Sequence, residues 1–340
     1  MPNFYPDDPV PVAWVRGQAE PNQPTYVNVG DALSPFLVTM VSGRPVAHGG
    51  FKRRKRRIGA IGTVGQVFEN GVVDIWGTGC SPFFKPMKAE LTRPYEIPEG
   101  TEVHVHAARG PQGAALLGAA GLVPYGDPAA LLPEFYQPKI EKKWELGVVL
   151  HLSNLADRAF EAHPAPGQLR YHVPPEMADQ VRLITMVGPD TVDGVQAKVD
   201  ELLSCKRVVS NSLHGFVIPA AYGIPTLYMS DKAGNDGPAH STLSEGRGPL
   251  LNARFVDLFG GYGIDEVAFW RQTKGEPTDW AALIEAVDRL AVDCKIDADA
   301  LMQACPAGCA PLSAPRGGTI WDHPLIRQTP VAMRPAGAAQ

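Results

Sequence analysis

Short β-branched segments that end at glycine alternate with helix-like segments in this chain, and this alternation restricts its fold most. In the first half the strand-like segments cover residues 56–64, 71–79 and 100–110, and helix-like segments cover residues 32–41 and 112–120. Alternation of this kind predicts a mostly parallel sheet covered by helices. The chain is therefore predicted to be an α/β protein.

A second set of alternating segments follows the charged, proline-containing residues 133–143, which we interpret as a linker. Its strand-like segments are 146–154, 181–188, 206–212 and 224–230, and its amphipathic helices are 190–205 and 279–292. Because 340 residues exceed what one hydrophobic core usually serves, we predict two domains that meet in a cleft. They cover residues 1–138 and 139–310, and a loose tail without periodicity covers residues 311–340.

Composition excludes several classes of protein. The formal net charge of -5 argues against a general nucleic-acid binder, and no apolar run approaches the roughly 20 residues of a membrane span. The first residues lack a basic segment followed by an apolar one, so the predicted location is the cytoplasm. Five scattered cysteines fit reduced thiols, and no second close pair of cysteines follows Cys305 and Cys309 to complete a zinc site.

The segment from residue 205 to residue 229 changes from an apolar strand to small polar residues and then to an apolar helix. In parallel α/β sheets, ligands bind beyond the carboxyl ends of the strands, where helix N-termini present free N–H groups. Ser210 and Ser212 supply hydroxyl groups at this junction, and Gly215 lets a ligand approach the backbone. His214 can carry a proton or a positive charge near neutral pH, which suits phosphate binding or general acid catalysis. A histidine that only caps the helix is the alternative.

Other polar residues also stand at predicted strand ends. His151 occupies the equivalent position on another strand of the second half, and Arg109 follows a strand of the first half, where a guanidinium could bind a carboxylate or phosphate. The alternatives are a polar residue at the start of a loop for His151 and a surface arginine for Arg109. His104 and His106 share one face of a strand, and without a third ligand they favour structure over a metal site.

A run of basic residues, KRRKRR, extends from Lys52 to Arg57 in an otherwise acidic protein. Such a run usually forms a solvated surface. Contact with anionic lipid or with a pyrophosphate is the alternative interpretation.

Five short motifs follow one another in a fixed order along the chain. They are NVGDALSPFL (28–37), AIGT (60–63), WGTG (76–79), ARGPQG with GDPAALLP (108–113 and 126–133), and SLHGFVIPAAYGIP (212–225). Each motif alone is weak, but their order and spacing agree with those of one family. From about residue 29 to residue 229 the chain resembles the polysaccharide pyruvyl transferases.

The resemblance implies two Rossmann-like domains with the site in the cleft between them, as in the GT-B glycosyltransferases. It implies transfer of a pyruvyl group from phosphoenolpyruvate to a sugar of an exopolysaccharide or another cell-surface glycan precursor, with formation of a cyclic ketal. No metal and no cofactor besides this donor substrate are expected. The implied acceptor is a lipid-linked oligosaccharide, which the protein would meet at the inner face of the membrane, with Lys52 to Arg57 as a peripheral contact to anionic lipid.

The resemblance also assigns roles to residues. His214 is the expected catalytic residue, and its neighbour Leu213 belongs to the same donor-binding pair. Expected substrate-binding residues are Asp31, Arg109, His151, Ser210, Ser212, Leu213, Gly215 and Lys232, with the serines on phosphate and Arg109 on the donor carboxylate. Two alternatives stay open at this point: a GT-B glycosyltransferase that uses a nucleotide sugar, and an inactive sugar-binding homologue.

Overall fold

The computed structural model describes residues 5, 9–19, 25–84, 93–232, 234–243 and 251–331. The strands in these ranges are β1 (Val10–Ala13), β2 (Tyr26–Asn28), β3 (Val46–His48), β4 (Arg57–Gly59), β5 (Gly71–Trp76), β6 (Thr101–Ala107), β7 (Leu146–Leu150), β8 (Val181–Thr185), β9 (Val187–Pro189), β10 (Val208–Ser210), β11 (Thr226–Ser230), β12 (Gly237–Thr242) and β13 (Glu266–Arg271). The helices are α1 (Val29–Ser42), α2 (Pro111–Leu116), α3 (Leu132–Phe135), α4 (Val192–Leu203), α5 (Leu213–Ala221), α6 (Ala253–Gly261), α7 (Trp280–Leu290), α8 (Ala298–Gln303) and α9 (Pro324–Arg327).

The strands form two large sheets, one from each half of the chain. The first has the order β3-β1-β4-β5-β6 and is parallel throughout. The second has the order β12-β13-β11-β10-β7-β8 and is parallel except at β12. A small antiparallel pair, β2 with β9, joins a segment of the first half to one of the second. The prediction of an α/β protein with mostly parallel sheets is confirmed.

Helix α1 begins directly after β2 and is buried along nearly its whole length. Asn28 caps its N-terminus by accepting a hydrogen bond from the N–H of Gly30, and Gly43 ends it in the left-handed conformation with φ 67°. The helix belongs to a continuous apolar core that contains side chains of both halves, such as Val12 and Val208. Because this core is shared, the division at residue 138 stays a prediction.

The C-terminal tail packs onto the first half of the chain. The N–H groups of Ala310 and Leu312 donate to carbonyls at the end of α1, and the indole ring of Trp321 is fully buried. That ring lies edge-on to Phe36 and Tyr136, at 5.4 and 5.8 Å between ring centres. The packed tail differs from the loose tail that was predicted from residue 311. Single buried apolar side chains fix residues 311–331 in place, and such isolated residues form no periodic pattern from which a helix could be predicted. Residues 332–340 lie outside the described residues.

The basic run divides into an exposed part and a buried part. Lys52 to Lys55 are exposed, whereas Arg57 is fully buried and donates to the carbonyl oxygens of Phe51, Glu69 and Asn70 at 2.8 to 2.9 Å. Arg56 donates twice to the buried Asp74 carboxylate, at 2.7 and 2.8 Å. The prediction of a solvated run is therefore wrong for Arg56 and Arg57, which have neutralising or hydrogen-bonding partners inside the protein. None of the helices in the described ranges has the length and apolar character of a membrane span.

Candidate functional site

The candidate site lies where the carboxyl ends of the two sheets meet. Helix α5 starts there after β10, and α1 and α6 begin beside it. Helix N-termini carry unpaired N–H groups and a partial positive charge, so this region attracts anions. The N-cap residue of α5, Ser212, makes no side-chain hydrogen bond to the helix, which leaves the N–H groups of its first turn uncapped.

His214 lies in the first turn of α5, and its side chain is almost completely buried. Its Nε2 lies 3.3 Å from Oδ2 of Asp127. On the other side the ring packs against Gly30 so closely that a Cβ there would lie 2.2 Å from Nδ1. The glycine of the NVGD motif is thus needed to admit the imidazole, and the ring has a fixed position between α1 and the Asp127 carboxylate.

Asp127 was not among the residues expected at the site, although the motif GDPAALLP contains it. Its side chain is fully buried, and its Oδ1 accepts a hydrogen bond from the N–H of Ala129 at 3.0 Å. The same carboxylate therefore caps a helical turn with one oxygen and faces His214 with the other. An aspartate directly before a proline predicts such a cap, but the sequence around Asp127 does not indicate that His214 is its partner.

Asp31 lies in the first turn of α1, next to the His214 and Asp127 pair. Burial raises the pKa of its carboxyl group, the Asp127 carboxylate raises it further, and His214 and Arg254 oppose this change. Gly62 makes room for the side chain, since a Cβ at that position would lie 3.0 Å from Oδ1 of Asp31. The site therefore combines a histidine with two carboxyl groups in different environments, which suits proton transfer.

Arg109 forms a buried ion pair instead of an open anion-binding group. Its Nη2 lies 3.0 Å from the Asp257 carboxylate of α6, and its Nη1 donates to Oγ1 of Thr63 at 2.8 Å. Asp257 also accepts a hydrogen bond from the N–H of Gly113 at 2.8 Å. Arg109 was predicted to bind the carboxylate of the donor. In the structure its guanidinium is instead bound to Asp257 and Thr63, and it joins the end of β6 to α6.

Small residues in the SLHG segment (212–215) and just before it shape the turn before α5. Ser210 Oγ donates to the carbonyl of Ser212 at 2.8 Å and accepts from the N–H of Ser212 at 3.0 Å, so the turn itself uses this hydroxyl group. A Cβ at Gly215 would lie 2.4 Å from Cγ1 of Val149. Gly215 therefore allows α5 to pack on β7, whereas the expectation was close approach of a ligand. Leu213 is buried in the apolar core.

His151 lies at the end of β7, where the side-chain oxygen of Asn211 accepts a hydrogen bond from its N–H at 2.7 Å. Its Nε2 lies 3.3 Å from Nη1 of Arg254, and its Nδ1 lies 2.7 Å from Oγ of Ser153. A guanidinium can only donate, so His151 accepts from Arg254 and is neutral. Burial and the Arg254 charge lower the pKa of His151 to about 4.

The structure brings some of the predicted residues together and leaves one apart. Asp31 and His214 share one site, and His151 joins it through Arg254. Lys232 is exposed beyond the end of β11, and no contact joins it to these side chains in the described part of the chain. Arg254 was not predicted, because it lies in a segment without any recognisable motif.

We expect the stability of the protein to fall as the pH drops from about 6.5 to about 4, in part because of His151. In that interval the unfolded chain binds a proton at this residue and the folded chain does not, so protonation favours unfolding. The free energy of unfolding, measured with urea across this interval, should depend less on pH in His151→Gln than in the wild type. Substitution of the exposed His172 by Gln is the matched control, and an equal slope in all three proteins would contradict the assignment.

The described residues contain no group of three His, Cys, Asp or Glu side chains arranged to hold a metal ion, and all five cysteines are free thiols. Residues 101–232 match the family model described as polysaccharide pyruvyl transferase. No curated protein and no solved structure matches the chain. The predicted resemblance to the polysaccharide pyruvyl transferases is thus confirmed over residues 101–232, a range that contains Arg109, Asp127, His151 and His214.

Proposed function

We propose that this chain transfers a pyruvyl group from phosphoenolpyruvate to two hydroxyl groups of one sugar in a cell-surface glycan precursor, forming a cyclic ketal. The observation that supports this most is His214, which lies within the matched range and is held between Gly30 and the Asp127 carboxylate at a helix N-terminus. Such a group can supply a proton to a donor that the same helix end attracts.

The reaction starts with protonation of the methylene carbon of the enol phosphate, which becomes a methyl group and leaves an oxocarbenium-like centre at the neighbouring carbon. One sugar hydroxyl attacks that carbon, and its bond to the phosphate oxygen breaks. The second hydroxyl attacks the same carbon and closes the ring. The two hydroxyl protons balance the proton added to carbon and the proton carried by the released hydrogen phosphate.

In this proposal His214 is the proton donor. Histidine is the side chain that most often serves as a general acid, and the Asp127 carboxylate holds its ring in place from 3.3 Å at Nε2. Asp31 lies beside the pair as a second carboxyl group and binds or deprotonates an acceptor hydroxyl. Because a buried carboxyl group with a raised pKa is a weaker acid than usual, its carboxylate is a better proton acceptor.

The donor carries negative charge on its phosphate and its carboxylate. We propose that protein groups neutralise this charge without a metal or a further cofactor: the uncapped N–H groups of α5, the partial charges of the helix N-termini, and cationic side chains. The proposed acceptor is a lipid-linked oligosaccharide, met at the cytoplasmic face of the membrane. The exposed residues from Lys52 to Lys55 are the proposed contact with anionic lipid.

Phosphate release tests this function. The purified protein in a chelator is mixed with phosphoenolpyruvate and extracted lipid-linked oligosaccharide, and we expect phosphate only when both substrates are present. Turnover that needs a nucleotide sugar instead would identify a glycosyltransferase. Binding of the oligosaccharide without any turnover would identify an inactive sugar-binding homologue.

A further inference from the structure

Arg254 is a partly buried cation whose hydrogen-bond partners are neutral. It lies in the first turn of α6, where Nε donates to Oδ1 of Asn252 at 3.2 Å and Nη1 donates to Nε2 of His151 at 3.3 Å. Among the described residues no carboxylate lies within ion-pair distance of its guanidinium. By contrast, Arg56 and Arg109 are each paired with a buried aspartate. Within the described part of the chain, the guanidinium of Arg254 therefore has no ion-pair partner at the site.

The surroundings of Arg254 disfavour this charge unless an anion is present. Burial lowers the pKa of its guanidinium, and the nearby Arg109 lowers it further. Tyr228 and Asp31 oppose this lowering of the Arg254 pKa but do not reverse it. A buried charge is costly unless it is paired, so a bound anion would remove a penalty that the free protein carries.

The position of Arg254 is held by the next turn of the same helix. Asp257, three residues further along α6, accepts hydrogen bonds from Arg109 and from the N–H of Gly113. The chain packs so tightly here that a Cβ at Gly110 would lie 1.7 Å from the Asp257 carbonyl oxygen. Helix α6 is thus anchored to the first half of the chain, and Arg254 has a fixed place near Asp31 and His151.

We propose that Arg254 binds the phosphate group of the donor. This inference rests on the proposed function, because the donor is taken to be phosphoenolpyruvate. A guanidinium offers a planar pair of N–H donors that matches two phosphate oxygens, and the first turns of α5 and α6 add positive potential. The neutral His151 accepts a hydrogen bond from one N–H group of Arg254, and this bond orients the remaining N–H donors of the guanidinium. Because His151 carries no negative charge, it does not compete with the phosphate for Arg254.

The test compares Arg254→Met and Arg254→Lys with the wild type by titration calorimetry against inorganic phosphate, phosphoenolpyruvate and pyruvate. We expect Arg254→Met to weaken binding of phosphate and phosphoenolpyruvate about tenfold to a hundredfold, the usual effect of losing hydrogen bonds to a charged group. Arg254→Lys should recover part of this loss through its charge, which a merely structural role would not predict. Arg207→Met is the matched control and should bind phosphate normally, because Arg207 pairs with Asp288 at the amino end of β10, the end of the strand away from the site.

The outcomes separate this inference from the proposed function. Wild-type affinity for phosphate in Arg254→Met, with unchanged melting temperature, would overturn the inference. So would a loss of pyruvate binding with phosphate binding retained, since Arg254 would then contact the carboxylate. If the wild type binds phosphate through Arg254 but releases none from phosphoenolpyruvate with any glycan acceptor, the inference stands and the proposed function fails.

Discussion

Substitution of His214 by Gln should lower the rate of phosphate release about a hundredfold or more while the protein stays folded. Glutamine can still donate a hydrogen bond toward Asp127, so the contact that holds the ring in place is largely kept. What it cannot do is deliver a proton to carbon. The effect should therefore fall on kcat more than on the affinity for phosphoenolpyruvate.

Rate and melting temperature should be measured on the same preparation of His214→Gln. Asp127→Asn is the companion variant, because it keeps an oxygen for the N–H of Ala129 and removes the charge that faces His214. If the pair acts as a unit, the double variant should be little slower than His214→Gln alone. A nearly normal rate in His214→Gln would show that this histidine only supports the fold.

Substitution of Arg109 by Met should reduce the free energy of unfolding by about 3 to 5 kcal/mol, the usual cost of breaking a buried pair by removing one partner. Asp257 is almost fully buried, and without Arg109 the one donor that its carboxylate keeps among the described residues is the N–H of Gly113. Urea unfolding measures the change. Asp257 attaches α6 to the first half of the chain, so loss of Arg109 should displace Arg254 on the same helix. We therefore also expect weaker binding of phosphoenolpyruvate.

Two controls accompany Arg109→Met. Arg109→Met combined with Asp257→Leu should recover part of the stability, because no buried charge is then left alone. Arg327→Met, which removes the exposed pairs with Asp193 and Asp322, should cost only about 0 to 1 kcal/mol. If Arg109→Met is as stable as the wild type but no longer binds the donor, Arg109 is the carboxylate clamp that the sequence first suggested.

The elements that could be predicted are those with a local pattern. Helix α4 shows apolar residues at helical spacing, and β7 is a continuous apolar run because its strand is covered on both faces. The short strands β1 and β3 have too few residues for a recognisable period. Their place in the sheet depends on pairing with each other and with β4.

The residues of the candidate site likewise fall into those with a local sequence pattern and those without one. His214 could be identified as a site residue from the sequence because the residues on either side of it predict a strand-to-helix junction. Its partner Asp127 could not, because it lies 87 residues away in the chain. His151 and Arg254 are 103 residues apart, and their contact has no local signature. Arg109 stood at the expected strand end, but only the fold reveals that Asp257 occupies its guanidinium. Residue types therefore indicate which chemistry is available, and long-range packing decides which side chains are free to perform it.

Mass spectrometry of the acceptor, after incubation with the purified protein and phosphoenolpyruvate, tests the claim that this chain moves a pyruvyl group from phosphoenolpyruvate onto a glycan. We predict a product heavier by one pyruvic acid less one water, formed in step with phosphate release and lost in His214→Gln. An acceptor of unchanged mass, across a panel of lipid-linked oligosaccharides and with the donor bound, would contradict the claim.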